Sequence, residues 1–163
     1  MYEHLLVALD GSPAAERVLE HAEALASTFH SHVTLVRATV SVEMVLAEEG
    51  AGDATTGQIA PIIDPEPVLD ADRDTAESYL SEVAARLRAR NLEVSTEHPE
   101  GAAEAVIVER AVALGASLIL MTTHGRSGLG RAIFGSVADA VLRHAPCPVL
   151  LVRIPHEEEA KRS

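Results

Sequence analysis

The amino-acid sequence predicts a doubly wound α/β fold, an open five-stranded parallel sheet with helices on both faces. Three observations carry that expectation. Apolar runs of strand length alternate with stretches of helical periodicity in the order β-α-β-α-β-α-β-α-β, without repeats at solenoid spacing, and such alternation requires right-handed crossovers and a sheet covered on both sides. The first run, Leu5-Leu6-Val7-Ala8-Leu9, is apolar on both faces, as a strand between two helix layers must be. Hydrophobic residues make up 47% of the chain while aromatics reach only 2%, so Ala, Val, Leu and Ile must build a core between closely spaced elements.

Asp10-Gly11-Ser12-Pro13 ends the first strand; Ser12 is placed to cap and Pro13 to enter the first turn of a helix running from about Pro13 to His30. Along it Ala14, Val18, Leu19, Ala22, Leu25, Ala26 and Phe29 recur at intervals of three and four. Val33 to Ala38 is the second strand, rich in β-branched residues. From Glu43 to Arg73 the pattern dissolves into Gly, Pro, Asp and Glu, with Pro61, Pro65 and Pro67 blocking any long regular element, which predicts an irregular excursion, with a short helix near Val42 to Glu48. Ala76, Leu80, Val83, Ala84 and Leu87 mark an amphipathic helix closing near Arg90, and Leu92 to Thr96 alternates as a strand nearer an edge does. Ala103, Val106, Ile107, Ala111 and Leu114 give the next helix, with Gly115 as its stop, before the strand Leu118 to Met121. A glycine-rich loop, a helix from Ser136 to His144 and a last strand, Val149 to Val152, complete the order, and residues 154–163 form a charged tail.

The length of 163 residues suits one domain, 1–163, with a core that folds without staples. Thirteen Lys and Arg against 25 Asp and Glu leave a net charge of −12, which repels phosphate backbones and anionic lipid, so no nucleic acid and no membrane are expected as partners. One cysteine, Cys147, excludes an internal disulfide; the start Met1-Tyr2-Glu3-His4 lacks the basic character of a secretory signal, and no apolar run approaches the ~18 residues of a membrane span. The expected location is cytoplasmic.

In open parallel sheets ligands bind beyond the carboxyl ends of the strands, where successive crossovers change direction. Two loops are built for this. One is Asp10-Gly11-Ser12; the other runs from Thr122 to Gly130, where Gly125, Gly128 and Gly130 let backbone amides approach an anion closely. Gly135-Ser136-Val137 opens the following helix, whose first amides and dipole add a second anion contact. Arg126 and Arg131 place positive charge inside an acidic chain. No Gly-Lys-Ser or Gly-Lys-Thr follows the loop and the first turn is not Gly-x-Gly-x-x-Gly, which disfavours ordinary NTPases and NAD enzymes.

At these residues the sequence resembles the universal stress protein family. The resemblance runs through Leu-Val-Ala-Leu-Asp-Gly-Ser at the start, Val-Thr-Leu-Val, the segment Gly115 to Leu129, and Gly135 to Val152. Nucleotide-binding members carry Gly, two residues, Gly, nine residues, Gly, then Ser or Thr; Gly125, the nine residues Arg126 to Phe134, Gly135 and Ser136 match, and Thr122 stands where the first glycine would be. The resemblance implies an adenine nucleotide alpha hydrolase-like, Rossmann-like fold and ATP, with Mg²⁺, as ligand. It places Ala8, Leu9 and Asp10 on the adenosine side, Ala38 beside the adenine, Met121, Thr122, Thr123, His124 and Gly125 at ribose and phosphates, with Arg126 and Gly128 in the same loop. Gly135, Ser136 and Val137 complete the triphosphate site. A Cβ at Thr122 narrows the approach to the sugar, whereas its hydroxyl could donate to an oxygen. The resemblance also implies a homodimer formed through the last strand, Pro148 to Arg153.

The other singular residues read structurally. His124 serves first to fix its loop by hydrogen bonding. The eight histidines show no metal-ligand spacing, so no metal site is expected. Cys147, rigid between Pro146 and Pro148, reads as a buried thiol, and Asp139 as a solvent-facing charge. The functional expectation is an ATP-binding regulatory protein of the stress response, a dimeric switch or adaptor. A nucleotide-free interaction module is the alternative; slow ATP hydrolysis is a third reading, with no catalytic residue assigned, because no lysine at the phosphates and no water-activating base is evident.

Overall fold

The computed structural model of the protein describes residues 1–50, 64–123 and 135–154. The elements, in chain order, are β1 (His4–Ala8), a single 3-10 turn (Ala15–Arg17), α1 (Val18–Phe29), β2 (His32–Val36), α2 (Val42–Gly50), α3 (Glu66–Arg88), β3 (Glu93–Glu97), α4 (Ala103–Ala113), β4 (Leu118–Thr122), α5 (Ser136–His144) and β5 (Val149–Val152). All five strands join one parallel sheet in the order β3-β2-β1-β4-β5. The chain thus builds outward from β1 through β2 to β3, then returns over the sheet and builds the other way through β4 to β5. Right-handed crossovers in opposite directions put α1 and α3 on one face and α4 and α5 on the other.

Alternation along the strands sorts the core into two apolar layers. Leu5, Val7, Leu9, Val33, Leu35, Leu118 and Leu120 pack on Val18, Ala22 and Ala26 of α1 and Leu80, Val83, Ala84 and Leu87 of α3. Leu6, Ala8, Val36, Ile119 and Met121 pack on Val106, Ile107 and Ala111 of α4 and Ala138 and Val141 of α5. Leu5, Leu6, Leu35, Leu80, Ile119 and Leu120 are fully enclosed, each contributing on the order of 2 kcal/mol of apolar burial. Small residues at the contacts, Ala22, Ala26, Ala84 and Ala111, let the helices lie close to the sheet, which is how a core with almost no aromatics fills its volume.

The expected architecture is thereby confirmed, with four corrections of detail. The helix expected from Pro13 begins as the 3-10 turn and becomes α-helical only at Val18, because Ser12 Oγ and the Ser12 carbonyl both accept from the Ala15 amide and tighten the entry. The excursion expected over 43–73 is helical at both ends: α2 reaches Gly50 and α3 starts at Glu66. Pro65 and Pro67, read as breakers, sit at the N-cap and in the first turn of α3, where the missing amide costs nothing; residues 51–63 lie outside the described part. Cys147 is half-buried rather than enclosed; it precedes the edge strand β5 and packs against the margin of the apolar layer under α4 and α5. Asp139 is half-exposed and pairs with Arg143 one turn on. Among the described residues no helix is long and apolar enough to cross a membrane.

Candidate functional site

The reversal of strand order falls between β1 and β4, and there the loops at their carboxyl ends part to leave a cleft of about 250 Å³. Its floor is Ala8, Leu9 and Asp10 from the end of β1 and Met121, Thr122 and Thr123 from the end of β4. Gly135, Ser136, Val137 and Ala138 from the start of α5 form one wall, and Ala103 and Ile107 of α4 form another.

Each wall is fixed by local chemistry. After β1, the Leu9 amide donates to the Val36 carbonyl (2.9 Å), carrying sheet pairing one residue beyond the strand. Asp10 Oδ1 then accepts from the Ser12 amide at 2.9 Å, closing a turn around Gly11, whose φ of +83° suits glycine. That bond uses one carboxylate oxygen. The other, Oδ2, is buried without a hydrogen-bond partner, on a residue that lines the cleft. An unmet buried acceptor costs roughly 1–3 kcal/mol, and the Tyr79 hydroxyl, close enough to interact electrostatically with Asp10, is likewise buried without a partner.

On the β4 side, the Thr123 amide donates to the Val152 carbonyl (3.0 Å), and the Gly135 amide donates to the Thr123 carbonyl at 2.7 Å. The second bond seats the start of α5 directly beyond β4. Gly135 is extended there, at φ −65° and ψ 159°, and no side chain caps the helix. The first intrahelical bond runs from the Asp139 amide to the Gly135 carbonyl (3.0 Å), so the amides of Ser136, Val137 and Ala138 precede the ladder and face outward with the positive end of the helix dipole.

The cleft therefore has polarity. Asp10, with one carboxylate oxygen unpartnered, lines the cleft after β1, three amides suited to an anion stand at α5, and Ala8, Ala103, Ile107 and Met121 supply apolar surface. A ligand matching it has an apolar body, a hydrogen-bond donor and a negatively charged end.

Of the residues singled out from the sequence, Ala8, Leu9, Asp10, Met121, Thr122, Gly135, Ser136 and Val137 come together in this cleft. Ala38 does not line it; it stands one strand away and packs on the apolar layer containing Ala8, Ile107 and Met121. His124, Gly125, Arg126 and Gly128 lie outside the described residues. Thr123, within the stretch expected at ribose and phosphates, lines the cleft as well, whereas sequence reading missed Ala15, Ala103, Ile107 and Ala138. Ala138 adjoins residues already chosen, but Ala103 and Ile107 arrive only because α4 returns over the sheet, and no local signal announces that.

No metal centre accompanies the cleft: among the described residues no three His, Cys, Asp or Glu side chains gather at metal-binding distance. Burial pushes the Cys147 thiol up, partly opposed by the backbone at Ile119, which keeps it protonated at neutral pH.

A model described as the universal stress protein family matches residues 1–153. A universal stress protein of Methanocaldococcus jannaschii is 30% identical over 159 residues, covering 97% of this chain and 86% of its own. Among solved structures, a member of the same family from Burkholderia pseudomallei superposes with a TM-score of 0.69 at 29% identity, covering 93% of this chain and 96% of its own. A universal stress protein solved in complex with cAMP has a TM-score of 0.65 at 20% identity, over 94% and 98% of the two chains.

Proposed function

The chain belongs to the universal stress protein family, and from that premise we propose that its switch-point cleft binds an adenine nucleotide, ATP in the first instance, and that the protein acts as a nucleotide-dependent regulator. The observation that carries the reading is the polarity of the cleft: an unmet Asp10 Oδ2 at one end and the open amides of Ser136, Val137 and Ala138 at the other. A nucleoside phosphate has that polarity. Its amino and hydroxyl groups supply donors, its base an apolar face and its phosphates the anion. The carboxylate of Asp10 would repel phosphates, so it belongs to the nucleoside end and α5 to the phosphate end. The complex of a family member with cAMP supports nucleotide chemistry in this fold.

Mg²⁺, where present, would arrive on the phosphates and neutralise part of their charge; among the described residues Asp10 is the one carboxylate lining the cleft. The chain's own work is to orient the nucleoside through Asp10 and to hold phosphate on main-chain amides that need no reorganisation. Among the described residues lining the cleft none is placed to activate water, and regulation by occupancy suits that lining better than turnover.

Thr122 favours a second reading, a nucleotide-free interaction module. It is 6% exposed and its side chain stands on the cleft floor where nucleotide-binding relatives are expected to carry glycine. The two readings part in one experiment. Protein purified without added nucleotide is denatured and assayed for released adenine nucleotide, and a thermal shift is measured with Mg-ATP. The proposal expects release or a rising midpoint, because bound ligand stabilises the native state by mass action. No release and no shift at millimolar ATP, with no gain in Thr122→Gly, would establish the interaction module.

Dimerisation belongs to the same proposal. Among the described residues β5 ends the sheet with every residue half-buried, which suits an edge-to-edge pairing with a second copy through Pro148 to Arg153. Light scattering at micromolar concentration tests it, a strictly monomeric mass being the contrary result.

A further inference from the structure

The short segment leaving β2, residues 37–40, is gripped from behind by α3. Alternation sends Val33, Leu35 and Arg37 to the α1 and α3 face and Thr34, Val36 and Ala38 to the face of the cleft. Arg37 is 4% exposed, an unusual burial for a guanidinium. Its Nη2 donates to Asp72 Oδ1 at 3.0 Å, while Asp72 Oδ2 accepts from the Val40 amide at 2.9 Å. One carboxylate thus holds both a side chain and a main-chain group of the same segment. The neighbouring Arg73 reaches Glu100 at 2.5 Å, and Thr39 is tied to that stretch by its amide on the Pro99 carbonyl (2.9 Å) and its own carbonyl on the Gly101 amide (3.0 Å).

A buried ion pair of this kind adds little net stability over apolar residues of the same volume, because desolvation offsets attraction. What it does confer is geometry. Ala38, between the two gripped residues, packs on the apolar layer that includes Ala8, Ile107 and Met121, which line the apolar part of the cleft. In a nucleoside phosphate the corresponding part is the base.

We infer that Arg37 and Asp72 form a clamp that sets the base-side wall of the cleft through the backbone of residues 37–40. They are positioning residues that touch no ligand, and the inference rests on the nucleotide reading above. Loosening the clamp should weaken recognition of the base and leave recognition of phosphate alone.

Calorimetric titrations of the whole protein with ATP and with inorganic tripolyphosphate test this. Asp72→Asn is expected to bind ATP about tenfold more weakly with tripolyphosphate affinity changed less than twofold, and to speed amide hydrogen exchange at Val40 while β1 amides are unchanged. Arg37→Met with Asp72→Leu removes both buried charges together and so preserves folding, yet leaves the Val40 amide without its acceptor. Its thermal midpoint should equal or exceed that of the wild type while ATP binding stays about tenfold weaker. Wild-type affinity for ATP in the double variant, or equal loss of ATP and tripolyphosphate in Asp72→Asn, would overturn the clamp alone. Absence of ATP binding by the wild-type protein would overturn the nucleotide reading and the clamp with it.

Discussion

The two ends of the same sheet treat polar groups in opposite ways. At the amino ends of the strands, His4 Nε2 meets Thr34 Oγ1 at 2.7 Å, Thr34 Oγ1 meets Ser95 Oγ at 2.9 Å, and His32 Nε2 meets Ser95 Oγ at 2.8 Å, a polar row across β1, β2 and β3. Ser117 Oγ accepts from the His4 amide (3.1 Å) and donates to the His4 carbonyl (2.9 Å), tying in β4. There the polar side chains satisfy one another. At the carboxyl ends Asp10 keeps one buried oxygen unmet, and the helix that follows β4 starts without a side-chain cap. Equal burial with unequal satisfaction separates an end that holds the sheet together from an end that awaits a ligand.

That contrast can be broken at four points of decreasing effect. Ile119 is wholly buried at the centre of the sheet, and Ile119→Ala should cost about 2–5 kcal/mol in chemical denaturation, lowering stability and ligand binding together because both ends share this core. Thr34→Val strikes the amino end only. With His4 Nε2 and Ser95 Oγ each losing a partner, unfolding free energy should fall by about 1–3 kcal/mol while ATP affinity holds. Asp10→Ala strikes the other end and should show the reverse, ATP binding weaker by about tenfold in calorimetry with a smaller change in denaturation midpoint than Thr34→Val. If Asp10→Ala leaves ATP binding intact, the carboxyl-end assignment is wrong.

The smallest effect concerns pH. Burial, then the neighbouring His32, lowers the His4 pKa from its ordinary 6.5, against weaker opposition from the backbone at Leu114 and from Glu97. The unfolded chain therefore takes up this proton at a higher pH than the folded one. Stability should decline as pH falls below the ordinary histidine value and stop declining once the folded imidazole is also protonated. Denaturation midpoints followed from neutral pH to about pH 5 should show this limb, and His4→Gln, which keeps an amide within reach of Thr34, should flatten it.

Local pattern was enough for the elements and for the two loops that floor the cleft. A continuous apolar run between turn residues leaves few options for Leu5 to Leu9, and glycines after a strand and before a helix mark Gly135 and Ser136 whatever the rest of the chain does. Pattern failed where position within an element matters more than residue type, as with Pro65 and Pro67, which stop a helix in its interior but start α3 without penalty. It failed also for Ala103 and Ile107, whose place in the cleft depends on a crossover that spans the sheet.

The amino-acid sequence by itself determined that alternating strands and helices would form a parallel sheet, because the hydrophobic period of each segment is a local property of its residues. Only the tertiary structure decided which strands are neighbours, and hence that the loops after β1 and β4 part to open a cleft. It alone shows that Asp10 keeps an oxygen in reserve and that Arg37 finds Asp72 across 35 positions. Satisfaction of a buried polar atom is a relation between distant groups, and no single stretch of chain contains it.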